Sequence, residues 1–139
     1  MHRLHGACVL VVDDDADAAE LYALWLRNEG HRVSIAGDAT RALILAPLLS
    51  PALIVIDIGL PGMDGIELVS KLRERSELTH CKYIAVSAYM DERLPAHCLA
   101  AGFAAFFQKP MPMRQLTASV SAAVGLHQNR RDAPSSRRH

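Results

Sequence analysis

The stretch VIDIGLPGMDG, residues 55–65, completes an apolar run that starts at Leu53 and stops it on an aspartate, Asp57, with a Gly-Leu-Pro-Gly turn from Gly59. Four apolar residues, three of them β-branched, read as a short strand buried on both faces. A strand of that kind belongs inside a parallel sheet covered by helices. A carboxylate at its end is costly to bury unless something pairs with it, so Asp57 requires partners from elsewhere in the chain.

Outward from this strand the same grammar repeats. "ACVLVV" (7–12) is an apolar strand stopped by Asp13, Asp14 and Asp15; "RVSIA" (32–36), "KYIAVS" (82–87) and "AAFFQ" (104–108) complete five strands. Between them lie helical patterns. Residues 16–29 place Ala18, Leu21, Leu24 and Trp25 at helical spacing, with Asp17 and Glu20 early and Gly30 past the end. Asp38 is placed to cap a helix that runs to about Leu45, before Pro47 and Pro51. Ile66 to Arg73, Leu94 to Ala101 and Met113 to about Leu126 supply three more helices, with Pro95 in the first turn of its own. Trp25 and Phe103 are expected in the core, Asp15 and Asp64 as helix caps. Five short strands alternating with five helices predict an α/β fold. Its sheet is parallel and doubly wound in the flavodoxin-like order 2-1-3-4-5, with helices on both faces.

Composition is consistent with one domain. The 139 residues are 50% hydrophobic, and the mean hydropathy of +0.10 suits a packed core. Net charge is zero, but residues 127–139 carry +3 and the remainder −3. The expected division is therefore a folded domain over 1–126 and a basic, disordered, solvated tail over 127–139. The balanced body gives no reason to expect nucleic acid as a partner. The odd, scattered Cys8, Cys81 and Cys98 read as free thiols of a reducing compartment. "LHGAC" faintly resembles a lipoprotein cleavage site, but no apolar segment precedes Cys8. No signal peptide or membrane span is expected, and the location expected is cytoplasmic.

In an open α/β sheet, ligands bind where strands end at the switch point. Strand 1 runs into Asp13–Asp15, strand 3 ends on Asp57, strand 4 on Ser87, and strand 5 meets Lys109 and Pro110. Acids, a hydroxyl and an ammonium thus converge. Two carboxylates about 4 Å apart repel by roughly 4 kcal/mol at an effective dielectric near 20. Either one of the acids takes up a proton or a divalent ion binds. Mg²⁺ suits such a site because it accepts one or two carboxylates and keeps positions for phosphate oxygens. Ser87 and Lys109 can contact a phosphoryl group, and Asp57 is placed to attack phosphorus.

The motifs "VLVVDDD", "LIVIDIGLPGMDG", "IAVSA" and "FFQKP", in this order and spacing, resemble the receiver domain of two-component response regulators over about residues 7–124. The resemblance implies that Asp57 is the phosphoacceptor and Asp14 a direct Mg²⁺ ligand. Asp13 would act through water, and the Gly59 carbonyl would be a further ligand. It implies phosphoryl contacts from Ser87 and Lys109, a cis Lys109–Pro110 bond, and a histidine kinase or histidine phosphotransfer protein as donor. The downstream protein target is left unnamed. Phe106 stands where the family places a rotamer switch, often Tyr. Tyr89 and Gly59 stand where it tunes phosphoryl lifetime, so Ser87, Tyr89 and Phe106 form the expected switch. A shift of the face made by helix 4, strand 5 and helix 5 would then carry the signal. Self-phosphorylation and slow autodephosphorylation, rather than turnover of a substrate, are the activities implied.

Three other readings compete. An aspartate-nucleophile phosphatase usually shows D-x-D, whereas Asp57 is followed by Ile58 and Gly59. A flavin mononucleotide site needs a hydroxyl-rich loop where this chain has three aspartates. A receiver-like scaffold that never takes phosphate would not need the full set of acids, hydroxyl and lysine. The start at Met1 and the polar end favour a stand-alone regulator over a fragment.

Overall fold

The computed structural model describes residues 6–89 and 91–136, and side chains as far as Gly125. Its strands are β1 (Cys8–Val12), β2 (Arg32–Ala36), β3 (Leu53–Asp57), β4 (Lys82–Ser87) and β5 (Ala105–Gln108). Its helices are α1 (Ala16–Asn28), α2 (Ala39–Leu49), α3 (Gly65–Arg73), α4 (Leu94–Ala101) and α5 (Met113–Ser136). All neighbouring strands pair in parallel, in the order β2-β1-β3-β4-β5. This is the flavodoxin-like arrangement read from the sequence.

The period of two in each strand sorts its side chains between two cores. Leu10, Val12, Ile54, Ile56 and Ala85 face one way, toward Leu68, Leu72 and Cys98 of α3 and α4. Val9, Val11, Val55, Ile84 and Val86 face the other, toward Leu26 of α1 and Leu116 and Val120 of α5. Every residue of β3 is buried, Asp57 included. At the start of α3, a side chain on Gly65 would stand 2.8 Å from the Ile58 Cα. Glycine is therefore what lets this helix close on the segment after Asp57.

Three points depart from the sequence reading. The core stripe of α1 is Ala19, Tyr22, Ala23 and Leu26, while Leu21, Leu24 and Trp25 are 45%, 55% and 38% exposed. Both stripes fit a helical period. The one with two alanines lies against the sheet because small residues let the helix approach its strands closely. Trp25 is thus not core, whereas Phe103 is buried as expected. Second, α2 continues through Pro47 to Leu49. Proline removes one N–H and crowds the carbonyl four residues back, and the helix ends within a turn, where Ser50 adopts a left-handed φ of 45° and donates its N–H to the Ala46 carbonyl at 2.8 Å. Third, a single 3-10 turn at Ser76–Leu78 precedes β4, with no counterpart in the sequence reading. Helix α5 spans Met113–Ser136; the tail expected over 127–139 lies beyond the side chains described, which end at Gly125.

Asp15 caps α1 and Asp64 caps α3 as read from the sequence. Asp15 accepts the N–H groups of Asp17 and Ala18, and Asp64 that of Glu67. Pro95 occupies the first turn of α4. Among the described residues no helix is long and apolar enough to cross a membrane.

The α1 register has a direct test. Leu24→Gln is expected to change unfolding free energy by no more than about 0.5 kcal/mol, and Leu26→Ala to cost about 2–5 kcal/mol. Urea denaturation of both variants checks this; equal losses would contradict the rotation of α1.

Candidate functional site

Parallel strands bring their carboxyl ends to one edge, and the register fixes what meets there. Asp57 pairs across from Val86, and Ser87 across from Gln108. The backbone continues this pattern past the strands: Asp13 N–H donates to the Ala36 carbonyl, Ile58 N–H to Val86, and Lys109 N–H to Ser87, the last at 2.7 Å. The loops that bear Asp13, Asp57 and Lys109 are thereby tied to the sheet. The Lys109–Pro110 peptide bond is cis.

Asp13, Asp57 and Ser87 are buried, while Asp14 is exposed at the rim. The three aspartates offer carboxylate oxygens that all lie within 4.8 Å of one another. Lys109 reaches in from β5, its Nζ 3.1 Å from Asp13 Oδ2 and 3.5 Å from Asp57 Oδ2. The other oxygens are held by backbone. Asp13 Oδ1 accepts the Asp15 N–H at 2.9 Å, and Asp57 Oδ1 accepts the Gly59 N–H at 3.0 Å. Ser87 Oγ accepts the Tyr89 N–H at 3.0 Å. The sequence-predicted acids and ammonium therefore do meet at one mouth, and the Ser87 hydroxyl lies at the end of the adjacent strand.

Charge is unevenly satisfied in it. Burial pushes the Asp13 carboxyl above the usual carboxylate range. The Asp15 N–H and Lys109 pull it down, and the neighbouring Asp57 pushes it further up. For Lys109, burial works against the ammonium, but the hydrogen bond to Asp13 and the charges of Asp57 and Asp13 outweigh it, and its pKa is raised. Two buried acids share one cation, so the cation is secure and the acid is not. With all three carboxylates ionised, one ammonium leaves two negative charges. A hard divalent cation with oxygen ligands matches both the charge and the donor atoms, so the residues present fit Mg²⁺.

Tyr89 is 60% exposed, yet its ring lies against Gly59. A side chain at position 59 would meet Tyr89 Cε2 at 3.1 Å and its hydroxyl oxygen at 3.4 Å. The two residues border a cleft of about 530 Å³ with Leu60, Asp64, Ile66 and Leu94. Phe106 is partly buried and packs on the α3/α4 core. The sequence reading missed Tyr22: it is buried on α1, with its ring centroid 5.9 Å from Lys109 Nζ. The signal was present in the helical period, since Ala19, Tyr22, Ala23 and Leu26 recur at i, i+3, i+4 and i+7, but the bulkier stripe of Leu21 and Trp25 masked it.

A second cavity, of about 400 Å³, lies at the opposite ends of the strands beside Cys8, Arg32, Cys81 and Lys82. Burial pushes the Cys81 thiol up to about 12 and raises that of Cys8, so neither is a ready nucleophile. The acid mouth is where group-transfer chemistry is provided for.

The chain is similar to known proteins over most of its length. Residues 9–121 match the family model described as response regulator receiver domain. An uncharacterized 14.6 kDa protein of Leptolyngbya boryana is 37% identical over 84% of this chain and 88% of its own. The DNA-binding response regulator MtrA of Mycobacterium tuberculosis is also 37% identical over 84% of this chain, which spans only half of that regulator's length. Among solved structures, a CheY-like receiver domain protein from Methanospirillum hungatei is 28% identical, with a TM-score of 0.82, covering 90% of this chain and 98% of its own.

The raised Asp13 carboxyl has a pH signature. A group whose folded pKa lies above its unfolded value favours the fold when protonated, and its ionised form costs stability as pH rises through the folded pKa. Asp13→Asn is therefore expected to melt higher than wild type in a metal-free chelator buffer at about pH 8, where model carboxylates are ionised, by a few degrees, since about 1 kcal/mol moves a domain of this size by roughly 4 °C. The gap should close toward about pH 4. Calorimetry at both pH values checks it, and a variant that melts below wild type at the higher pH would contradict the assignment.

Proposed function

This chain belongs to the response regulator receiver domain family, a phosphoacceptor module of two-component signalling, and we propose that it takes a phosphoryl group from a phosphohistidine donor onto Asp57. The observation that carries this reading is the meeting of Asp13, Asp14, Asp57 and Lys109 at the carboxyl edge of the sheet, with Ser87 at the end of the adjacent strand. A histidine kinase or histidine phosphotransfer protein would supply the group, and a protein target would read the result. The receiver unit is assigned to residues 1–126.

In the transfer, an Asp57 carboxylate oxygen attacks phosphorus in line with the bond to the imidazole nitrogen. That bond breaks, and its electron pair leaves with the imidazole, which takes a proton. Asp57 is held for attack by the Gly59 N–H on one oxygen, while Lys109 faces the other at 3.5 Å and is positioned to meet a phosphoryl oxygen. Ser87 offers its hydroxyl proton to a second phosphoryl oxygen. Mg²⁺, when bound, neutralises the carboxylates and orients the phosphoryl oxygens. Asp14, Asp57 and the Gly59 carbonyl are the direct ligands in this reading. Asp13, whose oxygens are held by Lys109 and by the Asp15 N–H, would act through water in this reading.

The Ser87 hydroxyl also links the site to its surroundings. Its oxygen holds the Tyr89 N–H, so a turn of Ser87 toward a phosphoryl group disturbs the loop that leads into α4. Phe106 on β5 can follow, and the face made by α4, β5 and α5 becomes the switched surface. Tyr89, leaning on Gly59, covers the approach of a hydrolytic water and lengthens the life of the aspartyl phosphate.

Intact-mass measurement after incubation with acetyl phosphate and Mg²⁺ tests the reading. Wild type should gain one phosphoryl group, and Asp57→Asn none; equal gain in the variant would sink the assignment. After donor removal, Tyr89→Ala should lose its phosphate faster than wild type, and an equal or slower loss would show that the ring is not the shield.

A further inference from the structure

Tyr22 sits on the α1 stripe turned toward the sheet and is 4% exposed, between the small Ala19 and Ala23 and above Leu26. Tyrosine brings both a ring and a hydroxyl there, and Lys109 acts on the hydroxyl too, pulling its pKa down against the larger effect of burial. What the aromatic ring adds is its face, which stands with its centroid 5.9 Å from the Lys109 ammonium. That ammonium is the one paired with Asp13 and Asp57. Four elements thus meet at one nitrogen: the ends of β1, β3 and β5, and the inner face of α1.

The ring differs from the carboxylates in one respect that matters for the reaction. Its attraction for a cation comes from the π-electron quadrupole and carries no net charge. On the phosphoacceptor reading, on which this inference rests, Asp57 becomes esterified and a cation held through water would draw on the charge of Asp13. The ionic hold on Lys109 is then weakened, while the ring is untouched. Lysine has a flexible four-carbon stem with about 2 kcal/mol of rotamer entropy, so an ammonium that loses its partners would otherwise swing toward solvent. We propose that Tyr22 is a positioning residue, whose ring keeps the Lys109 ammonium in the mouth while its carboxylate partners change, and so presents it to the incoming phosphoryl oxygens.

Tyr22→Leu and Tyr22→Phe in the full chain test this, with Tyr22→Met in place of the leucine variant if that fails to fold. The first readout needs neither metal nor phosphate. The ring current should displace the Lys109 ε-methylene proton resonances in wild type and Tyr22→Phe, and the displacement should vanish in Tyr22→Leu. The second is the rate of phosphorylation by acetyl phosphate. It should fall about threefold in Tyr22→Leu, the size expected of one partly shielded cation–π contact, and be largely recovered in Tyr22→Phe. In a Lys109→Ala background, Tyr22→Leu should cause no further loss, because the two side chains act as one unit. Wild-type rate in Tyr22→Leu, the same fold loss with and without Lys109, or a phenylalanine variant as slow as the leucine one would each overturn the proposal. Should wild type itself take no phosphate, the phosphoacceptor reading fails instead. The methylene shift still decides whether the ring holds the ammonium, and an unchanged shift in Tyr22→Leu overturns that.

Discussion

Two carboxylates, Asp13 and Asp57, are buried side by side, and the Lys109 ammonium lies 3.1 and 3.5 Å from them. Much of the remaining structure answers to that arrangement. Two like charges this close in a part-buried setting repel strongly, and one ammonium cannot neutralise three acids once Asp14 at the rim is counted. The fold tolerates the excess because the backbone donates to the acids, from Asp15 to Asp13 and from Gly59 to Asp57, and because Lys109 is tied to the end of β4 through its own N–H. The unspent negative charge is what makes the mouth receptive to a cation.

The scaffold converts that local tension into a defined geometry. Parallel pairing carries the ends of β1, β3 and β4 to one edge, and the two cores on either face of the sheet hold the strands in register. Gly65 lets α3 close against Ile58, and Gly59 leaves room for the Tyr89 ring. The same residues that build the mouth thereby shape the cleft beside it. Ser87 spans both, since its hydroxyl lies at the end of β4 and accepts a backbone N–H from the loop that follows.

The fold was legible in the sequence because its strands are short, apolar and interrupted by polar residues that can only be explained at a common edge. Asp57 ending a doubly buried strand was the most informative of these. The candidate site was legible for the same reason, since Asp13, Ser87 and Lys109 each stand where a strand stops. What escaped the reading concerns helices. Two stripes on α1 share the 3.6-residue period, and bulk pointed to Leu21 and Trp25 while close packing selected Ala19, Tyr22, Ala23 and Leu26. Tyr22 was lost with that choice, because nothing local says that a residue on α1 faces a lysine 87 positions later. Pro47 misled in a similar way: composition marks where a helix is weak, but neighbouring turns decide where it stops.

If the ammonium and a divalent cation draw on the same carboxylates, they must compete. The most direct measurement is the Mg²⁺ affinity of Lys109→Met compared with wild type, followed by amide NMR titration at fixed ionic strength. Removing the ammonium should tighten Mg²⁺ binding several-fold, on the order of 1 kcal/mol for one close charge at partial burial, with shifts centred on residues 13–15 and 57–59. Affinity that is unchanged or weaker in the variant would contradict the shared-charge site on which this description of the molecule depends.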